Sequence, residues 1–239
     1  MHWLKISERI HYKSFPRSYK INDILLCSNS DVVDLGITIT QDLSFKMHIS
    51  NIVAKAFGRQ SVLFRGFVTR ELSFIRKAFT TYIRPILEYN TPLWNPCEIY
   101  LIDLIENVQR EFSRRIPSLS HLGYSERLSK LKLEPLELRR LRYDLIMYYK
   151  ILNNLTPIDP NKYFEIYHSL PSSRSAATYL TKPAKACNKL LSSFFYRNVS
   201  VWNKLPQHIV LSQSLSSFKT AIASYDLPFL KCTSLRLTQ

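Results

Sequence analysis

The clearest periodic stretch of the chain is residues 70–96, RELSFIRKAFTTYIRPILEYNTPLWNP. Leu72, Ile75, Phe79, Ile83 and Ile86 recur every three or four residues, the spacing of one apolar helix face. Arg70, Lys77 and Arg84 fall seven apart, so at about 100° per residue they stack on the opposite face. Thr69 is placed to cap this helix, with Glu71 in its first turn. Pro85 removes a backbone donor inside the pattern and should kink or end the helix. The tail EYNTPLWNP reads as loop, with Pro92 and Pro96 bracketing Trp94.

Upstream, residues 19–27 (YKINDILLC) hold two β-rich runs around the tight-turn pair Asn22-Asp23. Residues 32–40 (VVDLGITIT) are rich in β-branched side chains and read as one strand. A sheet of two or three such strands is too small to be stable alone. Asp42 stands where it would cap a following helix. In that helix Phe45, Ile49, Ile52, Val53, Ala56 and Leu63 keep helical period, with Lys55 and Arg59 flanking the stripe. Gly58 costs it about 1 kcal/mol relative to alanine.

Downstream, residues 98–116 form a third helix with Leu101, Leu104, Ile105, Val108, Phe112 and Ile116 on one face. Arg114 and Arg115 complement the negative end of its dipole. Pro117, Ser118 and Gly123 mark a turn. A short helix around residues 127–131 gives way at Glu134-Pro135 to a longer one ending before Pro157, with Pro135 in its first turn. Leu138, Leu141, Leu145, Tyr148 and Leu152 make its apolar face. Residues 169–190 read as loop or short strands, and residues 214–225 as a last short helix capped by Ser214 or Ser216. No internal repeat is visible.

Charge changes this picture. The 239 residues carry 33 Lys and Arg against 18 acids, a net charge of +15. Such an imbalance favours a polyanionic partner, nucleic acid before membrane. Between residues 46 and 84 there are eight basic residues and one acid, Glu71. Residues 166–225 contain seven Lys or Arg and no acid. Cys27, Cys97, Cys187 and Cys232 are too far apart for CxxC pairs, so they read as isolated reduced thiols rather than a zinc knuckle or disulfide framework. No apolar run reaches the ~20 residues of a membrane span, and the basic N-terminus lacks a signal-peptide core. The expectation is an intracellular protein, cytoplasmic or nuclear, neither secreted nor membrane-bound.

Catalytic signatures are missing. There is no GxSxG, P-loop, GxGxxG or HExxH, and no adjacent Asp-Asp pair. Asp31 and Asp34 read as turn or capping residues, and Asp103 and Glu106 as an ordinary solvated pair on a helix. Asp144 reads as half of a structural ion pair with Arg140 at i−4, or with another nearby Arg. Trp94 and Trp202 could stack on bases, but beside proline-rich turns they read as core plugs.

Four segments carry a family resemblance: DLGITITQDLSFKMHI (residues 34–49), YIRPILEYNTPLWNP (82–96), ERLSKLKLEPLELRRLRYDLIMYYKILN (126–153) and FFYRNVSVWNKLP (194–206), the last with the pattern FxxRxxxxWNxLP. Together they resemble the part of non-LTR (LINE-type) retrotransposon reverse transcriptases that follows the catalytic aspartates. The likeness covers residues 19–225, nearly the whole chain. It implies a mainly α fold: an end-of-palm β-hairpin and basic tail in residues 1–41, a thumb-like three-helix bundle in 42–117, and a mostly helical, basic C-terminal region in 118–239. It further implies a C-terminal fragment of an RNA-directed DNA polymerase, inactive alone. Two-metal displacement needs convergent carboxylates, and the chain lacks the aspartates that hold Mg2+ in the parent enzyme, so no cofactor is expected here. The implied partners are the template RNA or DNA duplex backbone and the missing palm and fingers. Lys55, Arg59, Arg70, Lys77 and Arg84 form the first candidate nucleic-acid surface, and Arg139, Arg140 and Arg142 a second. The family's frequent C-terminal Cys/His knuckle has no matching residues. A non-functional translated relic and a co-opted helical protein-interaction module are the competing readings.

Overall fold

The computed structural model describes residues 20–22, 24–25, 29–69, 71–168, 178–181 and 188–227. The chain divides into two compact units, Met1–Ser44 and Phe45–Gln239.

In the first unit, β1 (Lys20–Ile21) pairs antiparallel with β2 (Ile24–Leu25), Ile21 opposite Ile24, and Asn22 sits in the turn at φ 48°. The stretch read as one strand is instead a hairpin. Its arms are β3 (Asp31–Asp34) and β4 (Ile37–Thr40), in register from Asp31 opposite Thr40 to Asp34 opposite Ile37. The reversal falls on Leu35-Gly36, both at positive φ (46° and 81°), the conformation a two-residue hairpin loop needs. Glycine takes that second position without steric cost. The N-cap position of α1 is Phe45, and the Asp42 carboxylate accepts from Thr40 Oγ1 and from the Ser44 amide at 3.3 Å, closing a local turn before the helix.

The second unit is helical first and last. It begins with α1 (Lys46–Gly66), whose buried stripe is Ile49, Val53, Ala56 and Gln60. Next come α2 (Leu72–Ala78), a π-helical turn at Phe79–Ile83, and α3 (Arg84–Glu88). Glu71, not Thr69, occupies the N-cap position of α2 and makes no side-chain cap bond. The π turn explains how the helix survives Pro85. An α-helix would drive the proline ring against the carbonyl four residues back. Here the Arg84 amide reaches Phe79 O, five residues back, and the helix continues to Glu88. One extra residue wound into a turn rotates all that follows by about 100°. Leu87, rather than Ile86, accordingly continues the buried face of Ile75, Phe79 and Ile83.

The tail read as loop holds one helical turn, α4 (Thr91–Trp94), entered through Asn90 at φ 50°. Helix α5 (Ile99–Arg114) lies beside α1 with its chain running the same way: Lys46 reaches the Tyr100 ring, and Gln60 Nε2 donates to Val108 O at 2.6 Å. Phe112 sits between Phe64 and Phe79, ring centroids 5.2 and 4.7 Å away. Pro117–Leu119 forms a 3-10 turn, followed by α6 (Tyr124–Leu131). Glu126 reaches back to the Gly123 amide at 2.8 Å to close the start of α6.

Helix α7 (Leu136–Leu152) then anchors the C-terminal core. A 3-10 turn (Pro160–Lys162) leads to the hairpin β5 (Glu165–His168) and β6 (Thr178–Thr181), Glu165 opposite Thr181. The remainder is α8 (Asn188–Leu191), α9 (Phe194–Arg197), α10 (Val199–Trp202), α11 (Gln207–Val210) and α12 (Leu215–Ser224). Ser214 caps α12, accepting from the Ser217 amide at 3.1 Å. Leu141, Leu145, Tyr148 and Tyr149 of α7 pack with Trp202, Ile209, Phe218 and Ile222. Across residue 117 the helices pack on one another: α5 lies on α6 and α7, and α4 lies on α7.

His48 is buried against Trp94, ring centroids 5.3 Å apart. Burial holds its pKa below the usual 6.5. The unfolded chain therefore binds a proton first as pH falls below 6.5, and stability is lost in that direction, by at most about 1.4 kcal/mol per pH unit. Urea titrations from pH 8 to pH 5 should show a falling midpoint whose slope lessens in His48→Gln. An identical slope in the variant would remove His48 from the pH response.

Candidate nucleic-acid interface

The long α1 and the shorter α2 bury one face each and turn their charged residues outward. Lys55 and Arg59, one turn apart on α1, are exposed, and so are Arg76 and Lys77 on α2. Among the described residues none of the four has a carboxylate within 4 Å. Lysine and arginine side chains held in water this way keep their rotamer freedom until a polyanion arrives. Arg76 escaped the sequence reading because it lies one position off the seven-residue comb.

The comb itself does not survive the π turn. Arg84 is rotated away from Lys77, half-buried, and 3.7 Å from Glu88. Burial lowers its pKa, as does the neighbouring Arg139, while Glu88 opposes them. Arg70 lies outside the described residues.

The second cluster, Arg139, Arg140 and Arg142, is turned to internal use. Arg139 binds both carboxylate oxygens of Glu88, one at 3.1 Å, and also approaches Glu134 at 3.6 Å. Burial works against its charge, but Glu88, Tyr143 and Glu134 together outweigh burial and push the pKa further up. Arg142 pairs with Glu134 and donates to Ala223 O at 2.9 Å. Arg140 has no exposed surface at all. Its Nε donates to Asn95 Oδ1 at 3.1 Å, and Glu106, Glu137, Glu88 and Asp144 surround it with negative charge. A guanidinium so enclosed presents nothing to a phosphate.

Around Arg140 lies a buried polar junction. Asp144, also fully buried, accepts from Asn95 Nδ2 at 2.9 Å and Asn198 Nδ2 at 2.6 Å. Its ion-pair partner is Arg197, not Arg140, through two bonds of 2.9 and 2.7 Å. Arg197 also donates to Pro92 O at 2.7 Å. The motifs PLWNP, RRLRYD and FFYRN thus meet at one carboxylate. A pair 53 residues apart has no local periodic signature, which is why i−4 looked the better partner.

Glu106, expected at a solvated position, is fully buried. It accepts from Tyr124 Oη and from the amides of Leu136 and Glu137 at 3.3 and 3.2 Å. Those amides open α7, whose N-cap position is Pro135, a residue with no capping side chain. Trp94 and Trp202 are buried as core residues, 1% and 2% exposed, so neither offers a face to a base. Among the described residues no three His, Cys, Asp or Glu side chains gather as metal ligands, and no helix is long and apolar enough to cross a membrane.

No family model matches the sequence, and no solved structure matches it. An uncharacterized protein of Caenorhabditis elegans is 30% identical over 125 residues, 51% of this chain and 63% of that protein. The chain thus spans less than two thirds of the length of the curated relative it matches. What fold and surface define is a mainly helical protein with exposed Lys and Arg on two consecutive helices that, among the described residues, have no carboxylate partner.

Proposed function

We propose that the chain is the C-terminal region of a non-LTR retrotransposon reverse transcriptase and that it holds a template–primer duplex by its phosphates. The observation that carries the binding half of this reading is the set of exposed cations that, among the described residues, have no carboxylate partner, Lys55, Arg59, Arg76 and Lys77. The four motif segments support the family half. Phosphate contacts of this kind position a duplex and read its shape, with little base specificity. The polymerase chemistry belongs to a palm and fingers that this chain would complete, with nuclear or cytoplasmic nucleic acid as its ligand.

Four phosphate contacts set a salt slope of about −3.6, so affinity for an RNA–DNA hybrid should fall about 10²-fold between 50 and 200 mM salt. The variant Lys55→Gln/Arg59→Gln/Arg76→Gln/Lys77→Gln should lose most of that slope and of the low-salt affinity while keeping its thermal midpoint. Fluorescence anisotropy at several salt concentrations measures both. Wild-type binding indifferent to salt, or a variant with the wild-type slope, would sink the proposal.

A further inference from the structure

Between the α3–α4 connection and α7 lies a cleft of about 220 Å³ that includes none of the candidate cations. Drug-sized ligands fill pockets of roughly 300 Å³ and above, so this one suits a single ring system. Its walls are Pro92, Ile146 and Met147. They are apolar, and a methionine thioether makes favourable contact with an aromatic ring. Thr91, on the lining, is fully buried with a hydroxyl that, among the described residues, has no hydrogen-bond partner. A phenyl ring would leave that hydroxyl unsatisfied. A heteroaromatic ring with a polar edge would satisfy it.

Charge narrows the ligand further. Lys150 also lines the cleft and, among the described residues, has no carboxylate within 4 Å. The one acid on the lining, Glu88, is already engaged by Arg139, by Arg84 at 3.7 Å and by the Tyr143 hydroxyl at 3.1 Å. An incoming anion therefore meets an unpaired ammonium and a neutralised carboxylate. We propose that this cleft binds one nucleoside monophosphate unit, its base between Pro92, Ile146 and Met147 with an edge on Thr91, and its phosphate on Lys150. The unit is either a free nucleotide or an unpaired residue of a nucleic-acid strand. The choice of ligand rests on the nucleic-acid reading above, but the residues do not overlap.

The test titrates the full chain with 2-aminopurine probes: the free nucleoside, its monophosphate, and a duplex bearing it as a one-nucleotide overhang. Saturable quenching by the monophosphate is expected, at least 10-fold weaker in Met147→Glu. Lys150→Gln, a surface change that serves if Met147→Glu fails to fold, should weaken the monophosphate about 3- to 10-fold and leave the nucleoside unchanged. In the Lys55→Gln/Arg59→Gln/Arg76→Gln/Lys77→Gln background, where the basic surface is removed, an overhang that quenches at lower concentration than the monophosphate identifies the strand as the source; equal affinities identify the free nucleotide. The Lys55/Arg59/Arg76/Lys77 variant should keep monophosphate binding, so loss of duplex affinity alone refutes only the basic surface. No saturable quenching, an undiminished response in both cleft variants, or equal displacement by N-acetylphenylalaninamide would overturn the cleft's assignment.

Discussion

Replacing Asp144 by alanine should cost about 3–5 kcal/mol, the range for removing one partner of a buried ion pair. The carboxylate is fully buried and receives Arg197 through two hydrogen bonds, with Asn95 and Asn198 completing its shell. Alanine would strand the Arg197 guanidinium in the interior, where its side chain is only 3% exposed. Two asparagine amides would lose their acceptor as well. Domains are commonly stable by about 5–15 kcal/mol, so the loss is large enough to leave a substantial unfolded fraction at 37 °C. Asp144→Ala/Arg197→Ala should cost less than the sum of its single changes, because the second substitution removes the stranded charge. Urea midpoints for the four proteins give the coupling directly. A single-variant loss under 0.5 kcal/mol, or strict additivity, would show that Arg197 is held by something other than Asp144.

That expectation recasts the motifs carrying the family resemblance. Asn95, Asp144 and Arg197 come from three of those segments, and the fold spends all three on one junction rather than on a ligand. Their spacing along the chain is set by where α4, α7 and α9 meet. A reading of the segments as surface elements would miss this, since nothing local distinguishes an arginine aimed inward from one aimed at phosphate.

What was legible in the sequence was apolar period. The middle of each buried face follows from it, Ile49, Val53 and Ala56 on α1 and Leu141, Leu145 and Tyr148 on α7, because a helix that buries one stripe must repeat every three to four residues. Three features escaped for physical reasons. The π turn depends on how a helix accommodates Pro85, and the rotation it introduces separates Arg84 from Lys77. The Leu35-Gly36 reversal was hidden inside a β-branched run, where a glycine counted as one weak strand position instead of a turn. Glu106, Arg140 and Arg142 were misplaced because charge normally marks the solvated face. Here Glu106 is held by the Tyr124 hydroxyl and the first amides of α7, Arg140 by Asn95, and Arg142 by Glu134. Lys55, Arg59 and Lys77 are exposed, since they flank buried positions that the period does fix.

Glu106→Ala should be the second severe change, about 3 kcal/mol or more, and its mechanism is capping across the fold. Helix α7 starts at a proline, so its first amides depend on a donor-facing group from elsewhere, and the Glu106 carboxylate supplies it to Leu136 and Glu137. Losing it leaves two buried amides and the Tyr124 hydroxyl without their acceptor, each costing about 1–3 kcal/mol when unsatisfied, with some relief from relaxation. Glu106→Gln keeps the shape but offers one acceptor lobe in place of two, so a smaller loss of about 1–3 kcal/mol is expected. Hydrogen exchange separates this from a general loosening: the Leu136 and Glu137 amides should gain exchange in both variants before the α12 amides do. The pH dependence supplies an independent check. Burial, the largest influence, raises the Glu106 pKa above its usual 4.5, against the Tyr124 hydrogen bond and the charge of Arg140. As pH rises past 4.5 the unfolded chain releases this proton first, so the stabilisation is complete below 4.5 and declines upward, opposite in sign to that of His48. The stability difference between wild type and Glu106→Gln should therefore narrow as pH rises from 4.5. A difference that widens instead would mean that Glu106 is held ionised by Arg140 more strongly than burial disfavours it.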